Sequence, residues 1–383
     1  MTTYTEKLTS LFLSQEFPGD SFFIQRAFRN RRLIVYGAGE SFHYFKEVVM
    51  RQFGYIPSVI LDRKFSVGDT FEGIPACSLS DYNPDEDEKR DALVVVCLGN
   101  QYYFEEVVNS LRLRGFLNVI TLLDIYEIHN PFSLPCELAI EGFQFYLGNR
   151  ERIQSCLGML ADDLSKEVYV KCLQTHLTRK PVPLPASPRH EQYVPPDIQL
   201  AHGHKRFVYC GVSIGEMKSV FSRIEGVEEL VCFEPDPNQF RLTADYLEGH
   251  HAELAARVLA LPCAVYSHEG IEPFTYSETS FGSRILASGS SWTQAVTIDR
   301  ILPGFGPTII TMDIEGAELE ALKGAEKTIR RYRPDLAVCL YHSPSHLWEI
   351  PLYLDSLGVG YKFYIRNYTS FVSETVLYAT CLL

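Results

Sequence analysis

A glycine-rich turn between two apolar segments is the feature that most constrains the fold of this chain. The apolar residues 207–210 lead into a turn that contains Gly211 and Gly215, and a second apolar segment, 231–233, ends at Glu234. Glycine permits a sharp turn and a close approach of the backbone to a ligand, because it carries no Cβ. An acid at the tip of the next strand, about 20 residues on, can accept hydrogen bonds from ribose hydroxyls. The segment therefore predicts the strand, turn, helix and strand of an α/β domain that binds a nucleoside.

The spacing between the two glycines favours one class of nucleoside over another. The pattern G-x-x-x-G, with Pro235 directly after Glu234, suggests S-adenosylmethionine. A dinucleotide site more often reads G-x-G-x-x-G, because a pyrophosphate must sit on the helix N-terminus. A second glycine turn, at 37–39, lacks the third glycine of that fingerprint and has Phe42 near its place. The pattern at 37–39 therefore argues against NAD.

Length and charge limit the kinds of protein that this chain can be. The 383 residues exceed one ordinary hydrophobic core, so we expect two domains, and the 46% of hydrophobic residues is typical of globular proteins. A formal net charge of −13 disfavours nucleic acid or an anionic membrane surface as the main partner, because both are polyanions. No apolar run approaches the ~20 residues of a membrane span.

The ten cysteines are scattered and form no C-x-x-C pair, so they indicate neither a zinc knuckle nor a redox pair. Several of them lie inside apolar segments, where cysteine acts as a small hydrophobic residue. The N-terminus shows no charged and then apolar signal segment. We therefore expect a cytoplasmic protein with reduced thiols.

Apolar runs alternate with helical patterns in both halves of the chain, which predicts an α/β fold with two Rossmann-like, doubly wound parallel sheets. We expect an N-terminal Rossmann-like domain over residues 1–130, a helical and proline-rich connector over 131–205, and a second domain over 206–383 that ends in an antiparallel hairpin. A stretch rich in serine and glycine, 280–293, predicts a mobile loop over the site. The predicted strands are 33–36, 58–61, 92–98, 119–122, 207–211, 230–234, 258–264, 308–313, 335–341, 361–366 and 375–382.

Motifs in the C-terminal half occur in an order that is more specific than any one of them. They are Tyr209-Cys210-Gly211-Val212-Ser213-Ile214-Gly215-Glu216, Phe233-Glu234-Pro235-Asp236-Pro237-Asn238, Cys263-Ala264-Val265-Tyr266-Ser267, Val296-Thr297-Ile298-Asp299-Arg300-Ile301, Met312-Asp313-Ile314-Glu315-Gly316-Ala317-Glu318 with Leu322-Lys323-Gly324-Ala325, and Tyr341-His342. In this order they resemble the FkbM-type S-adenosylmethionine-dependent methyltransferases. The resemblance covers about residues 190–383, a little over half of the chain.

The resemblance implies a class I methyltransferase fold for 206–383, with S-adenosylmethionine as cofactor. It also implies that the methyl group goes to a hydroxyl of a saccharide or natural-product acceptor. The residues it implies for cofactor binding are Tyr209, Gly211, Ser213, Gly215, Glu234 and Ala264. The N-terminal turn 37–39, with Asp62 at the next strand tip, is similar to small Rossmann-like domains of sugar-modifying enzymes, which fits a small-molecule or glycan acceptor.

Two carboxylates and a histidine are the candidate catalytic residues. Asp313 and Glu315 follow the apolar run 308–312, which places them at the carboxyl end of a buried strand, over the ligand crevice. A hydroxyl acceptor needs a base, and His342 at the end of the next strand is the candidate, because an ordinary histidine pKa near 6.5 suits proton transfer around neutrality. A structural, hydrogen-bonded role for His342 is the alternative. For Glu318 we expect a helix-capping role.

A metal site and an acceptor pocket are further possibilities in the same region. His342, His346 and Asp313 could form a set of two histidines and one carboxylate, but nothing in their spacing fixes the geometry, so no metal is predicted. Aromatic side chains in such a region can stack on a ligand. The residues expected to line the acceptor pocket are Tyr266, Ser267, Arg284, Trp292 and Trp348.

One position of the glycine motif departs from the pattern of the family. Tyr209 stands where the motif usually begins with aspartate, and Ser213 replaces a common asparagine. A bulky, uncharged Tyr209 could fill part of the pocket and weaken cofactor binding. A second function therefore stays open, that of a catalytically degenerate methyltransferase-like protein that binds or scaffolds components of glycan biosynthesis.

Overall fold

The structure is a computed structural model that describes residues 3–13, 28–39, 41–98, 104–122, 125, 143–178, 182–254, 256–276, 283–287, 289–369, 372 and 374–381. The chain divides into two compact units. One unit comprises Met1–Thr5, Arg150–Cys172 and Pro183–Leu383, and the other comprises Glu6–Asn149 and Leu173–Val182. The three-part division with boundaries after 130 and 205 stays a prediction.

A six-stranded sheet forms the centre of the unit that contains Glu6–Asn149. Its strands are β1 (Leu33–Tyr36), β2 (Val59–Leu61), β3 (Asp69–Phe71), β4 (Ile74–Cys77), β5 (Leu93–Val96) and β6 (Asn118–Thr121). They lie in the order β3-β4-β2-β1-β5-β6, and all pairs are parallel except β3 with β4. Strands β2 and β5 are buried throughout, as strands covered on both faces must be.

The helices of the N-terminal part follow the strands as the sequence pattern predicts. They are Tyr4–Leu13, Ser41–Phe45, the π-helix Lys46–Gln52, Glu86–Asp91, Phe104–Leu113 and Phe143–Gly148. Asp85 caps the start of the helix Glu86–Asp91. Its carboxylate accepts a hydrogen bond from the Glu88 amide at 2.7 Å and so satisfies a free N–H of the first turn. Residues 14–27, and residues 131–142 at the start of the predicted connector, lie outside the described residues.

A hairpin in this unit was missed by the sequence analysis. Strands β3 and β4 pair antiparallel around Glu72 and Gly73, which have φ angles of 53° and 77°. Two residues with positive φ are typical of the tight turn that joins the strands of a hairpin. The hairpin places β3 at the edge of the sheet.

A seven-stranded sheet forms the centre of the unit that contains Pro183–Leu383, and a smaller sheet lies between its strands in the sequence. The strands are β7 (Arg206–Cys210), β8 (Glu229–Phe233), β9 (Arg257–Leu261), β10 (Ala264–Val265), β11 (Gly270–Thr275), β12 (Arg284–Ile285), β13 (Ser291–Val296), β14 (Ile309–Met312), β15 (Asp335–Cys339), β16 (Lys362–Asn367) and β17 (Thr375–Thr380). The large sheet has the order β16-β17-β15-β14-β7-β8-β9. Only β17 runs antiparallel to its neighbours, β15 and β16, as the predicted terminal hairpin requires. The predicted α/β fold class is confirmed.

Helices connect the parallel strands of this sheet. They are Ile214–Phe221, Pro237–Leu254, Ile298–Ile301, Glu318–Lys323, Glu326–Tyr332 and His346–Ser356, preceded in the chain by Arg150–Met159, Asp163–Thr178 and the 3-10 helix Arg189–Glu191. Parallel strands place their carboxyl ends at one edge of the sheet, which is where open α/β sheets bind ligands. The residues after β7, β8, β14 and β15 therefore meet there.

The prediction of a mobile loop over 280–293 is wrong for the part that the structure describes. Arg284–Ile285 is β12, and β13 begins at Ser291 and pairs antiparallel with β11. Within the segment, 280–282 and 288 lie outside the described residues.

Part of the predicted connector packs within the unit that holds the large sheet. The buried Arg366 of β16 donates hydrogen bonds to Asp162 at 2.6 Å and to Asp197 at 2.8 Å. Residues 182–188, with three of the four prolines of this region, form no helix or strand, because proline lacks the N–H that both require.

Two further expectations concern the whole chain. In the part that the structure describes, no helix is long and apolar enough to cross a membrane. The cysteines that the structure describes are free thiols, and all of them except Cys77 are buried.

Candidate functional site

A cavity of about 430 Å³ opens at the carboxyl ends of β7, β8 and β14. One side is the glycine turn after β7, and another is the acid that ends β8 together with Pro235 and Asp236. Ala264 of β10 and Ile285 of β12 add apolar surface. The volume is within the range of small-molecule sites, which is roughly 300–1,000 Å³.

Gly211 fixes the glycine turn against the end of β14. Its φ is 77°, and a β-carbon built on it would overlap the carbonyl oxygen of Asp313. Its N–H donates to the Phe233 carbonyl at 2.9 Å, and the Asp313 N–H donates to the Cys210 carbonyl at 3.0 Å. Only glycine satisfies both the positive φ and the close approach. The turn at Gly211 therefore holds the ends of β7, β8 and β14 together beside the cavity.

Glu234 links the turn to the end of β8. Its carboxylate accepts hydrogen bonds from the Val212 N–H at 3.1 Å and from the Asp236 N–H at 2.8 Å. Burial raises its pKa to about 7, although these two amide hydrogen bonds oppose the shift. A carboxylate has about four sites for hydrogen bonds, so after these two bonds it retains acceptor sites for the hydroxyls of a ligand.

Asp236 is a member of the cavity wall that the sequence analysis missed. One oxygen accepts from the Asn238 and Gln239 amides at 2.8 and 3.2 Å, and the other accepts from the Ser283 hydroxyl at 2.6 Å. The first pair caps the helix that begins at Pro237. An aspartate one residue before a proline at a helix start was the available signal.

Three carboxylates from separate parts of the chain converge at one end of the cavity. Glu216, Asp313 and Glu374 each contribute an oxygen, and these oxygens lie within 4.8 Å of one another. Burial, and then repulsion by Asp313 and Glu374, raise the pKa of Glu216 to about 8. The Arg189 guanidinium lies 3.1 Å from Glu374 Oε1 and opposes this repulsion.

Asp313 is held by hydroxyl groups of two tyrosines. The Tyr193 hydroxyl donates to Oδ2 at 3.2 Å, and the Tyr341 hydroxyl donates to Oδ1 at 3.1 Å. Tyr193 is fully buried and has a φ of 65°. These donors fix the carboxylate in the wall of the cavity. The sequence analysis found Asp313 but neither Tyr193 nor Glu374, since both lie far from it in sequence.

His342 lies behind the cavity wall and forms a chain of ion pairs. Its Nδ1 is 2.7 Å from Oε1 of the fully buried Glu318, and its Nε2 is 3.3 Å from Asp313 and 3.4 Å from Glu315. Burial lowers the pKa of His342, but the attraction of Glu318 outweighs it, so that the pKa rises to about 10. His342 is then an imidazolium at neutral pH, contrary to the expectation that it titrates near 6.5.

Glu318 combines the expected capping role with a charge pair. It accepts from the Ile314 N–H at 2.9 Å, at the start of the helix Glu318–Lys323. Burial would raise its pKa, yet attraction to His342 holds the pKa well below its usual range. His346 Nδ1 lies 3.3 Å from the other oxygen of Glu318. His346 therefore belongs with Glu318 and not with the set of His342 and Asp313 that its spacing suggested.

The cavity gathers most of the predicted site residues. Those that line it are Gly211, Ser213, Glu234, Ala264, Asp313 and Glu315. Tyr209, Gly215 and His342 are not part of the lining. Tyr209 is fully buried, with its ring stacked on Phe207 at 5.3 Å, so it does not fill the cavity. The binding and catalytic roles of these residues stay predictions.

The residues predicted to line an acceptor pocket are dispersed. Of the five, Arg284 alone lines the cavity. Trp348 is fully buried in the helix His346–Ser356, while Trp292 on β13 is 66% exposed. Trp292 lies on a strand that the sequence analysis took for a loop. Trp348 follows the apolar spacing of a core helix, which was the signal against a role in binding.

Two groups of side chains in the described residues have the donors and the proximity to hold a cation. They are Asp313 with Glu318 and His342, and Glu216 with Asp313 and Glu374. In the first group, His342 already pairs with both carboxylates. The second group opens to the cavity.

Comparison with known proteins finds one matching family model and similarity to solved structures. Residues 210–363 match the family model described as the methyltransferase FkbM domain. The crystal structure of methyltransferase FkbM from Methylobacillus flagellatus KT is similar with a TM-score of 0.72 and 21% identity, over 98% of each chain. Aeropyrum pernix fibrillarin in complex with natively bound S-adenosyl-L-methionine gives a TM-score of 0.28 and 11% identity, over 46% of this chain and 66% of that chain. Comparison with curated proteins gave no match.

Proposed function

We propose that this chain is an S-adenosylmethionine-dependent O-methyltransferase, because residues 210–363 match the family model described as the methyltransferase FkbM domain. The acceptor that we propose is a hydroxyl of a saccharide or natural product. The observation that carries the proposal is the cavity at the carboxyl ends of the strands, with the glycine turn on one side and Glu234 on the other.

The residues of the cavity fit this cofactor chemically. Glu234 presents acceptor sites suited to a ribose diol, and the turn at Gly211 brings backbone close to the ligand. Ala264, Val265 and Ile285 give an apolar wall of the kind that a planar base can pack against. Ser213, also in the lining, adds a hydroxyl donor near the turn.

The chain's own contribution to the reaction is positioning and proton transfer. The bound cofactor would supply a methyl group on a positively charged sulfur. Asp313 and Glu315 lie in the cavity wall and are the candidate acceptors of the proton that leaves the hydroxyl. His342 is a positioning residue, because its Nε2 lies near both carboxylates from behind the wall. Much of the acceleration of a methyl transfer comes from holding the acceptor hydroxyl and the methyl group in the correct relative position.

The burial of Tyr209 weighs against the scaffold function. That alternative depends on Tyr209 occupying the place of the cofactor, whereas the side chain packs on Phe207 outside the cavity lining. Glu216, seven residues on, places a carboxyl group in the wall beside the glycine turn. We therefore favour the enzyme, acting in the cytoplasm, where free cysteines are the rule.

Calorimetric titration of S-adenosylhomocysteine tests the cofactor site. We expect micromolar binding to the wild-type protein and at least about tenfold weaker binding to Glu234→Gln, since a charge-assisted hydrogen bond to a carboxylate is lost. Glu320→Gln, a carboxylate paired with Lys323 outside the cavity, is the matched control.

A panel of saccharides and hydroxylated natural products tests the reaction. Each acceptor is incubated with S-adenosylmethionine, and the methylated product is identified by mass spectrometry. Product formation with Asp313→Asn reduced at least about a hundredfold would support the assignment. Binding of the cofactor without transfer to any acceptor, and an unaltered affinity in the Glu234 variant, would contradict the proposed enzyme.

A further inference from the structure

The glycine turn after β1 repeats the contacts of the turn after β7. Gly37 has a φ of 106°, and its N–H donates to the Leu61 carbonyl at the end of β2 at 2.8 Å. A β-carbon built on Gly37 would overlap the carbonyl oxygen of Cys97 after β5, and the Cys97 N–H donates to the Tyr36 carbonyl at 2.7 Å. Gly211 makes the same contacts with the ends of β8 and β14. The first turn is therefore equally open to a close approach of a ligand, at the carboxyl edge of its own sheet.

Asp62 has the same place in this turn that Glu234 has in the other. Its Oδ2 accepts from the Ala38 N–H at 2.9 Å, and its Oδ1 accepts from the Lys64 N–H at 3.2 Å. Glu234 likewise accepts from the residue after its glycine and from the residue two positions after itself. A carboxylate has about four acceptor sites. Asp62 therefore retains sites for the hydroxyl groups of a ligand.

The two turns differ in charge at three equivalent positions. These positions lie two residues after the acid, at the carbonyl that faces the glycine, and five residues after the glycine. The residues there are Lys64 in place of Asp236, Cys97 in place of Asp313, and Phe42 in place of Glu216. The turn after β1 thus has a cation, a thiol and an aromatic ring where the other turn has three carboxylates. A phosphate group, which three carboxylates would repel, is compatible with the turn after β1.

Lys64 is held at the turn by its own contacts. Its Nζ donates to the Ala38 carbonyl at 2.8 Å. The same Nζ lies 5.1 Å from the ring centroids of both Phe65 and Phe71, a distance at which a cation is attracted to an aromatic face. An ammonium group has three N–H donors, so the hydrogen bond to Ala38 leaves donors for phosphate oxygens.

We infer that the turn at Gly37 is a second ligand site, which binds a ribonucleotide. The ribose hydroxyls donate to Asp62, and Lys64 donates to a phosphate. Phe42 lies five residues after Gly37 and is buried, which leaves no room for the further glycine that a dinucleotide site uses. The inference goes beyond the proposed methyl transfer and depends on none of its steps, because every contact that carries it lies in 36–97.

The first test asks whether a nucleotide binds and through which turn. ADP and UDP are each titrated by calorimetry into the protein with saturating S-adenosylhomocysteine. We expect at least one of them to bind the wild type, and to bind Asp62→Asn at least about tenfold more weakly, because charge-assisted hydrogen bonds from the ribose are lost. Glu234→Gln should bind the nucleotide like the wild type. So should the control Asp87→Asn, an exposed carboxylate of the same unit that pairs with Arg90.

The second test removes one part of the ligand at a time. The 2′,3′-dideoxy forms of ADP and UDP lack the hydroxyls, and adenosine and uridine lack the phosphates. Each loss should weaken binding to the wild type at least about tenfold. Asp62→Asn should no longer distinguish the dideoxy form, and Lys64→Gln should no longer distinguish the nucleoside. Thermal melting shows whether each variant is folded, and the comparisons in the wild type decide the inference even where a variant is not.

Three results would overturn the second site. They are no binding of either nucleotide, unchanged affinity when the hydroxyls or the phosphates are removed, and a loss of binding in Glu234→Gln but not in Asp62→Asn. The last result would place the nucleotide in the C-terminal cavity. Failure of S-adenosylhomocysteine to bind would contradict the proposed function alone, since the dependence on Asp62 and Lys64 is measured separately.

Discussion

Gly211 lies against the carbonyl oxygen of Asp313 so closely that no side chain fits between them. The contact joins the glycine turn after β7 to the end of β14. It therefore connects the proposed cofactor-binding turn with Asp313, the proposed proton acceptor. Because Gly211 has a positive φ of 77°, a substitution there meets both backbone strain and overlap.

Gly211→Ala is therefore expected to lower the free energy of unfolding by about 3 kcal/mol or more. Gly215→Ala is the matched control, because the nearest atom to its built β-carbon is Ser213 Oγ at 3.9 Å and alanine favours a helix. Urea unfolding measures both. Equal stability of the two variants would contradict the role given to Gly211.

The charge on His342 gives a prediction that separates positioning from general-base catalysis. Burial lowers its pKa, but Glu318 and then Asp313 and Glu315 raise it to about 10. The imidazole should therefore stay protonated from pH 5 to 8, which nitrogen NMR chemical shifts report directly. His176 is the internal contrast, because burial lowers its pKa to about 4. A titration midpoint of His342 between pH 6 and 7 would restore it as a general base.

The protonated state of Glu216 predicts how stability changes with pH. Its pKa rises from 4.5 to about 8 on folding, through burial, Asp313 and Glu374, with Arg189 opposing. The folded protein thus holds a proton that the unfolded chain releases, so this stabilising contribution is present below pH 4.5 and is lost as the pH rises through 8.

Glu216→Gln removes that dependence. We expect the free energy of unfolding of the variant to fall less steeply than that of the wild type between pH 5 and 8. Urea unfolding at pH 5, 6.5 and 8 measures the slopes, and Glu320→Gln, outside the cavity, should keep the wild-type slope. Parallel profiles for wild type and Glu216→Gln would show that the carboxyl group is not protonated at neutral pH.

The strands and the glycine turn could be predicted from sequence because the signals are local. The run 93–96 is wholly apolar and forms β5, and Gly211 and Glu234 lie at the ends of adjacent strands. The acidic end of the cavity could not be predicted, since Glu216, Asp313 and Glu374 come from distant parts of the chain and meet only after folding.

The misplaced expectations have physical reasons too. His342 was assigned an ordinary pKa, because sequence does not show that the fully buried Glu318 lies 2.7 Å from its Nδ1. Trp292 was placed in a loop by its serine and glycine neighbours, whereas pairing with β11 makes that segment a strand. The burial of Glu318 decides the first case and the pairing of β13 with β11 decides the second, and the intrinsic propensities of the residues reveal neither.

Substitution of Tyr209 distinguishes the methyltransferase function from the scaffold function. The scaffold function predicts that Tyr209→Asp, which restores the usual motif residue, gains cofactor affinity. The structure predicts the opposite, because the side chain is fully buried and stacked on Phe207. A carboxylate there, near Glu216 and Asp313, would be both desolvated and repelled.

We expect Tyr209→Asp to lose at least about 3 kcal/mol of unfolding free energy, while Tyr209→Phe, which keeps the ring, stays within about 1 kcal/mol of the wild type. Thermal melting and calorimetric titration of S-adenosylhomocysteine measure the two variants together. A stable Tyr209→Asp protein with tighter binding would show that the tyrosine obstructs the site, and the scaffold function would then account better for this chain.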